Sequence, residues 1–367
     1  MMLDIFNNFY QGKRVLITGH TGFKGSWLSI WLHELGAEVI GVALDPFTER
    51  DNYVLSGIGN KIKADIRADI RDGKRMKEIF QEYQPEIVFH LAAQPLVRLS
   101  YDIPVETYET NVMGTINVME AMRVTDSVKV SVMITTDKCY ENKEQIWGYR
   151  ENEPMGGYDP YSSSKGAAEI AIASWRRSFF NPADYGTKHH VSLASVRAGN
   201  VIGGGDWALD RIIPDCIKAL EGGKPINIRS PKAIRPWQHV LEPLSGYMLL
   251  AQKMWKEPTK YCEGWNFGPS AESITPVWDV AQDVVKCYGS GILNDVSDSN
   301  ALHEAKLLML DISKAKFLLG WEPRMNIHQC IEMVVDWYKK YQSEDVYRVC
   351  TEEINKFLQN ENKYIRD

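Results

Sequence analysis

The chain has 367 residues, 44% of them hydrophobic, which is enough for a large core and for one big domain or two. Its net charge of -6 lacks the basic field of a general nucleic-acid binder, and no apolar run reaches the length that crosses a bilayer. The six scattered cysteines and eight histidines show no metal-ligand spacing, and no basic segment followed by an apolar one marks a secretory signal, so a metal-free cytoplasmic protein with reduced thiols is expected.

In chain order, a buried strand is predicted over 14–18. Gly19-His20-Thr21-Gly22-Phe23-Lys24-Gly25 follows it directly, then a helix over 26–35 and a second strand over 38–43. Gly19 permits the tight bend, Gly22 the approach of backbone to a pyrophosphate, and Gly25 close helix packing; the helix N-terminus adds amides and a positive dipole. A glycine loop placed between a strand and a helix points to a bound dinucleotide rather than to a merely structural turn. Asp45 lies about 20 residues beyond Gly25, a spacing that suits a ribose hydroxyl. It falls just past the predicted strand end, so NAD is favoured while NADP stays open.

Residues 128–134 read as another buried strand, and Thr136, Asp137 and Lys138 emerge at its end, where open α/β sheets keep their chemistry. A helix over 161–177 puts Tyr161 and Lys165 on one face. An ammonium beside a phenol favours the phenolate and makes it a usable base; the plain alternative is a surface Tyr and Lys on an amphipathic helix. From 196 the chain is turn-rich. Asn200, Arg211 and Arg235 stand beside glycines and prolines and suit a nucleotide diphosphate, because guanidinium groups grip phosphate oxygens in pairs. Surface charge around loops is the alternative. A strand and turn over 265–269 and an amphipathic helix over 327–341 follow, and the tail from 343 to 367 reads as polar, helical and without visible chemistry. No internal repeat is present.

The G-x-x-G-x-x-G loop with a downstream Tyr-x-x-x-Lys resembles the extended branch of the short-chain dehydrogenase/reductase family, and the resemblance covers most of the chain. It implies an α/β fold: a Rossmann-type doubly wound parallel sheet with a smaller, mixed α/β substrate domain. The nucleotide domain would span 1–196 with about 240–268, and the nucleotide-sugar domain 197–239 and 269–360. NAD would be held by Gly19, Thr21, Gly22, Phe23, Lys24, Gly25, Asp45, Asp69, Ile70, Leu91, Ala92, Ala93, Tyr161 and Lys165, with Asn111 supporting the site. Gln94, Asn200, Arg211, Arg235 and His239 would bind substrate.

Lys138 departs from the dTDP-glucose and GDP-mannose dehydratases, which carry a glutamate base there. Together with 19–25 and 235–240 it is similar to the members that act on CDP-glucose. The resemblance therefore implies a lyase of deoxysugar biosynthesis, such as that of lipopolysaccharide O-antigen. Thr136, Asp137, Lys138, Tyr161 and Lys165 would be catalytic, with Tyr161 the base for the sugar 4-hydroxyl, Lys138 the base for C5 and Asp137 the acid for the departing 6-hydroxyl. A nucleotide-sugar 4-epimerase, a dehydratase for another nucleotide-hexose and a non-catalytic nucleotide-binding scaffold are the rivals. A homodimer or homotetramer is implied, with the helices near 103–123 and 161–178 paired across a dimer.

Overall fold

The computed structural model describes residues 3–270, 273–297 and 307–360. Seven parallel strands form one sheet: β1 (Arg14–Thr18), β2 (Glu38–Ala43), β3 (Ala64–Arg67), β4 (Ile87–His90), β5 (Val130–Ile134), β6 (Ser192–Ala198) and β7 (Gly264–Phe267). Their spatial order is β7-β6-β5-β4-β1-β2-β3. The central strands carry fully buried apolar runs, such as Val15-Leu16-Ile17 and Ile87-Val88-Phe89, because helices cover both faces of the sheet. Edge strand β3 instead alternates half-buried and exposed residues.

One face is covered by α1 (Phe23–Glu34) and, later in the chain, by α6 (Leu241–Lys256); Trp27, Trp31, Leu244 and Met248 lie in that core. The other face is covered by α2 (Gly73–Tyr83), α3 (Thr115–Arg123) and α4 (Pro160–Ser178), with Met76, Phe80, Val118, Met122 and Ile172 in a second core. Strand β1 pairs with β2 on one side and β4 on the other. The strand order reverses there, so a crevice opens at the carboxyl ends of β1 and β4.

Beyond β6 the chain builds a second layer of short elements beside that crevice. It holds α5 (Ile212–Glu221), the antiparallel pair Ile234–Pro236 with Ile274–Pro276, the parallel pair Ile226–Ile228 with Leu293–Asp295, and α7 (Val277–Tyr288). Helices α8 (Ile327–Lys340) and α9 (Val346–Gln359) close the fold. The tail is more than polar solvated helix: α9 buries Val349, Ile354, Phe357 and Leu358, and Phe357 meets the ring of Trp31 on α1 at 5.8 Å. Positions 361–367 of the tail, and 271–272 and 298–306 of the expected sugar domain, lie outside the described residues. No helix among the described residues is long and apolar enough to cross a membrane.

Candidate active site

The glycine loop fits a phosphate group for steric reasons. Gly19 has φ of 78°, and a Cβ there would stand 2.7 Å from Ala92 N, so the loops after β1 and β4 touch at the strand-order reversal. A Cβ on Gly25 would meet Gly19 O at 2.1 Å. Gly22 is exposed and caps α1 without a side chain, leaving the first-turn amides open to an anion. Thr21 Oγ donates to Leu44 O at 3.0 Å and ties the loop to the end of β2. Helix α1 starts at Phe23, earlier than the expected 26, because Gly22 is extended and the next residues already turn. That start puts Lys24 in the first turn, within the electrostatic reach of Asp137, Lys165, Asp206 and Arg211; burial first and then Arg211 pull its ammonium down to about 8. Lys24 thus looks into the reaction cleft as well as toward the loop.

Other cofactor-side residues are arranged around the crevice. Asp45 lies two residues past β2, highly exposed, and accepts from Arg67 Nε at 2.9 Å. Arg67 is also bound to Asp65 and Tyr53, so its guanidinium is already engaged. Asp69 is paired with Arg71, Ile70 packs where Gly114 has no side chain, and Leu91, Ala92 and Ala93 form a part-buried rim. Asn111 sits in a π-helical turn, Glu109–Gly114. Its amide holds Gln94 O at 3.1 Å and Ser164 Oγ at 2.9 Å, joining the rim to α4.

The chemistry-bearing residues converge where β5 ends. Thr136 caps the single turn Asp137–Cys139 with extended backbone, and its Oγ donates to Asp137 Oδ1 at 3.0 Å. Asp159 caps α4 by accepting from Ser162 N, with Pro160 at the first helical position, so Tyr161 and Lys165 enter one buried face. Burial pushes the Tyr161 phenol up to about 12, helped by the charge of Asp137, while Thr136 and Arg211 pull it down. Burial lowers Lys165 to about 8, against the pull of Glu169. Burial also raises Asp137 above the usual carboxylate range, although Lys138, Thr136, Arg235 and Lys24 all favour its anion. Asp137 Oδ2 is buried without a protein partner. Lys138 is half-buried beside it.

On the sugar side, Arg211 precedes α5 and binds Asp206 Oδ2 at 2.7 Å while its charge reaches Tyr161. Arg235 lies within the short strand Ile234–Pro236, and its charge reaches Asp137. Asn200 is half-buried in the turn after β6. Two expected substrate residues point elsewhere. His239 is 0% exposed, with its ring edge-on to Trp27 and 3.8 Å from Glu353 on α9, so it has no face open to a ligand. Gln94 is turned into its own loop: its amide donates to Leu96 O and Thr107 Oγ and accepts from Leu96 N, so those bonds shape the loop. Both corrections have one cause, since a polar residue near a cleft in sequence satisfies its hydrogen bonds wherever packing offers partners. Sequence reading missed the buried Glu169–Arg197 pair beneath the site; the only signal was an acid one helical turn after Lys165.

The family model described as GDP-mannose 4,6 dehydratase matches residues 16–334. A CDP-glucose 4,6-dehydratase of Salmonella typhimurium is 51% identical over 97% of this chain and 99% of its own length. A putative UDP-glucose 4-epimerase of Methanocaldococcus jannaschii is 30% identical over 89% of this chain and 98% of its own. Among solved structures, dTDP-glucose 4,6-dehydratase from Bacillus anthracis, in complex with NAD, superposes with a TM-score of 0.74 at 21% identity, covering 90% of this chain and 97% of that one. That last likeness concerns the fold.

Proposed function

The chain belongs to the GDP-mannose 4,6 dehydratase family, and from that premise we propose that it is a hydro-lyase converting CDP-D-glucose to CDP-4-keto-6-deoxy-D-glucose with NAD retained through the cycle. The observation that carries the reading is Asp137. A carboxyl that burial holds toward its neutral form, with one oxygen unpartnered, is suited to protonate a leaving hydroxyl. A 4-epimerase has no use for an acid there. The choice of CDP-glucose rests on the 51% identical relative.

The residues present fit a dinucleotide: the glycine cradle at Gly19, Gly22 and Gly25 lies at the strand-order reversal, and exposed Asp45 suits a ribose diol. Arg67, already engaged by three neighbours, is poorly placed to grip a 2′-phosphate, which favours NAD over NADP. Bound there, NAD would supply a hydride acceptor for C4 and a hydride donor for C6. Tyr161 takes the proton of the 4-hydroxyl, aided by Thr136 and by the positive charges of Lys165 and Arg211. Lys138 removes the C5 proton, which the new 4-ketone has acidified, and Asp137 protonates the departing 6-hydroxyl. Arg211 and Arg235, with Asn200, hold the diphosphate.

We also read the enzyme as a cytoplasmic homodimer or homotetramer serving deoxysugar synthesis, such as that of O-antigen. Exposed Val105, Met113 and Ile170, on the segments expected to pair across a dimer, support the self-association. The test is incubation with CDP-, dTDP-, UDP- and GDP-glucose followed by mass analysis. A 4-keto-6-deoxy product, formed best from CDP-glucose, is expected; a simple epimer, or preference for another nucleotide, would overturn the reading.

A further inference from the structure

Lys165 favours a phenolate only while it is an ammonium, and its surroundings make that charge costly to keep. Tyr161, Lys165 and Glu169 follow one another at single turns of α4 and share its buried face, none of them more than 8% exposed. Burial pulls the lysine down to about 8, so an opposing charge is needed nearby. The titratable groups that reach it come from several elements. Lys24 on α1 has the same sign. His90, at the end of β4, is held down to about 3 by burial first and then by Lys165, and is therefore neutral. Burial pushes the Cys139 thiol well up, so it is neutral as well. Glu169 supplies the anion.

A carboxylate enclosed in this way would itself take up a proton unless donors surrounded it. Each oxygen of Glu169 accepts from two: Oε1 from Arg197 Nε and Thr135 Oγ, Oε2 from Arg197 Nη2 and Ser195 Oγ. Arg197 is fixed in turn, because its Nη1 donates to the Tyr140 hydroxyl at 2.6 Å and to Glu151 O at 3.0 Å. The charge of Arg176 reaches the carboxylate too. Thr135 follows directly on β5, and Ser195 and Arg197 belong to β6, so the ion pair keeps its negative end on α4, one helical turn from Lys165. Stability gives little reason for such a pair, since apolar residues of similar volume often join two elements as well or better.

We propose that Glu169 is a positioning residue for the oxidation at C4: its fixed negative charge holds Lys165 as the ammonium that Tyr161 needs in order to accept the 4-hydroxyl proton. This rests on the roles of Tyr161 and Lys165 in the dehydratase reading above. Glu169 acts through Lys165 and neither gives nor takes a proton in the cycle. An anion beside an ammonium raises the pH at which the ammonium is lost. Without that anion Lys165 becomes a neutral amine at lower pH, and above that pH the phenol lacks the cation that makes it a usable base. The alkaline limb of the oxidation rate then moves toward acid.

The rate of nicotinamide reduction in a single turnover with CDP-glucose, followed against pH, tests this. In Glu169→Gln the alkaline limb moves toward acid by about one pH unit or more. That variant leaves Arg197 buried without its anion, so Glu169→Gln combined with Arg197→Met is measured beside it. The double variant removes both charges, and its limb moves the same way by less. Glu169→Asp keeps the anion, and its limb stays close to that of the wild type. Ser195→Ala removes one hydrogen bond and no charge: its melting temperature falls and its limb stays in place. A limb that does not move in either charge-removing variant overturns the proposal, as does one that moves as far in Ser195→Ala. A double variant that fails to fold assigns the pair to structure alone and overturns it too. Failure of the underlying reading looks different: the wild type would then reduce no nicotinamide with CDP-glucose at any pH.

Discussion

Glu169 grips Arg197 through two parallel hydrogen bonds, Nε to Oε1 at 3.0 Å and Nη2 to Oε2 at 2.9 Å, with both side chains almost fully buried. Thr135 and Ser195 donate to the same carboxylate. Burial alone would raise Glu169, but Arg197 and these bonds outweigh it and hold the carboxyl down to about 2. The pair clamps α4 to β6 directly below Lys165. Because the folded pKa lies below the unfolded one of about 4.3, this stabilisation is full above the unfolded value and is lost as pH falls toward the folded one. Glu169→Gln leaves Arg197 buried without its anion, and a loss of about 3 kcal/mol or more is expected at neutral pH. Denaturant unfolding of both proteins on descending pH should show the difference narrowing; a constant difference would refute the assignment.

Glu242 behaves in the opposite sense. Its Oε1 accepts from Arg324 N and Met325 N, both at 2.8 Å, while burial pushes the carboxyl up to about 8. The folded state then binds more protons than the unfolded one between about 4.3 and that value, so this residue's contribution to stability falls as pH rises through the window. Glu242→Gln keeps the acceptor and removes the titration. The melting temperature of the variant should gain on the wild type steadily across that window, and parallel pH profiles would show that Glu242 is ionised throughout.

Tyr161→Phe should bind NAD and CDP-glucose nearly as the wild type does yet hardly oxidise C4. Loss of the general base is expected to cost about 10² to 10⁴ in rate. The absorbance of reduced nicotinamide in a single turnover reports that step by itself, and near-normal formation would remove Tyr161 from its role.

Lys138→Ala should still reduce bound NAD with CDP-glucose but fail to release water. Quenched samples should then contain the 4-keto-glucose intermediate. If elimination runs at the normal rate, the C5 base is another residue.

Arg235→Ala should weaken CDP binding by roughly tenfold or more, since a charge-assisted hydrogen bond contributes about 1.5 to 3 kcal/mol. His239→Ala supplies the contrast: buried against Trp27, it should lower the melting temperature and leave the affinity of the folded enzyme little changed. Calorimetric titration with CDP separates the two, and a large affinity loss in folded His239→Ala would reinstate it as a ligand contact.

Local order was legible in the amino-acid sequence. Apolar runs marked β1, β2 and β5, with glycine turns beside the first two, and four-residue spacing put Tyr161 and Lys165 on one face of α4, because backbone geometry makes these patterns properties of neighbouring residues. What depends on distant segments was decided by the tertiary structure. Arg197 faces Glu169 only because α4 packs against β6, and His239 is sealed in because α9 returns to the first helix. The protonation of Asp137 belongs to the same class: its neighbours in sequence, Thr136 and Lys138, both favour the anion, and enclosure by the folded chain favours the neutral acid. Desolvation is set by how much of the whole chain surrounds a group, and no local pattern of residues encodes that quantity.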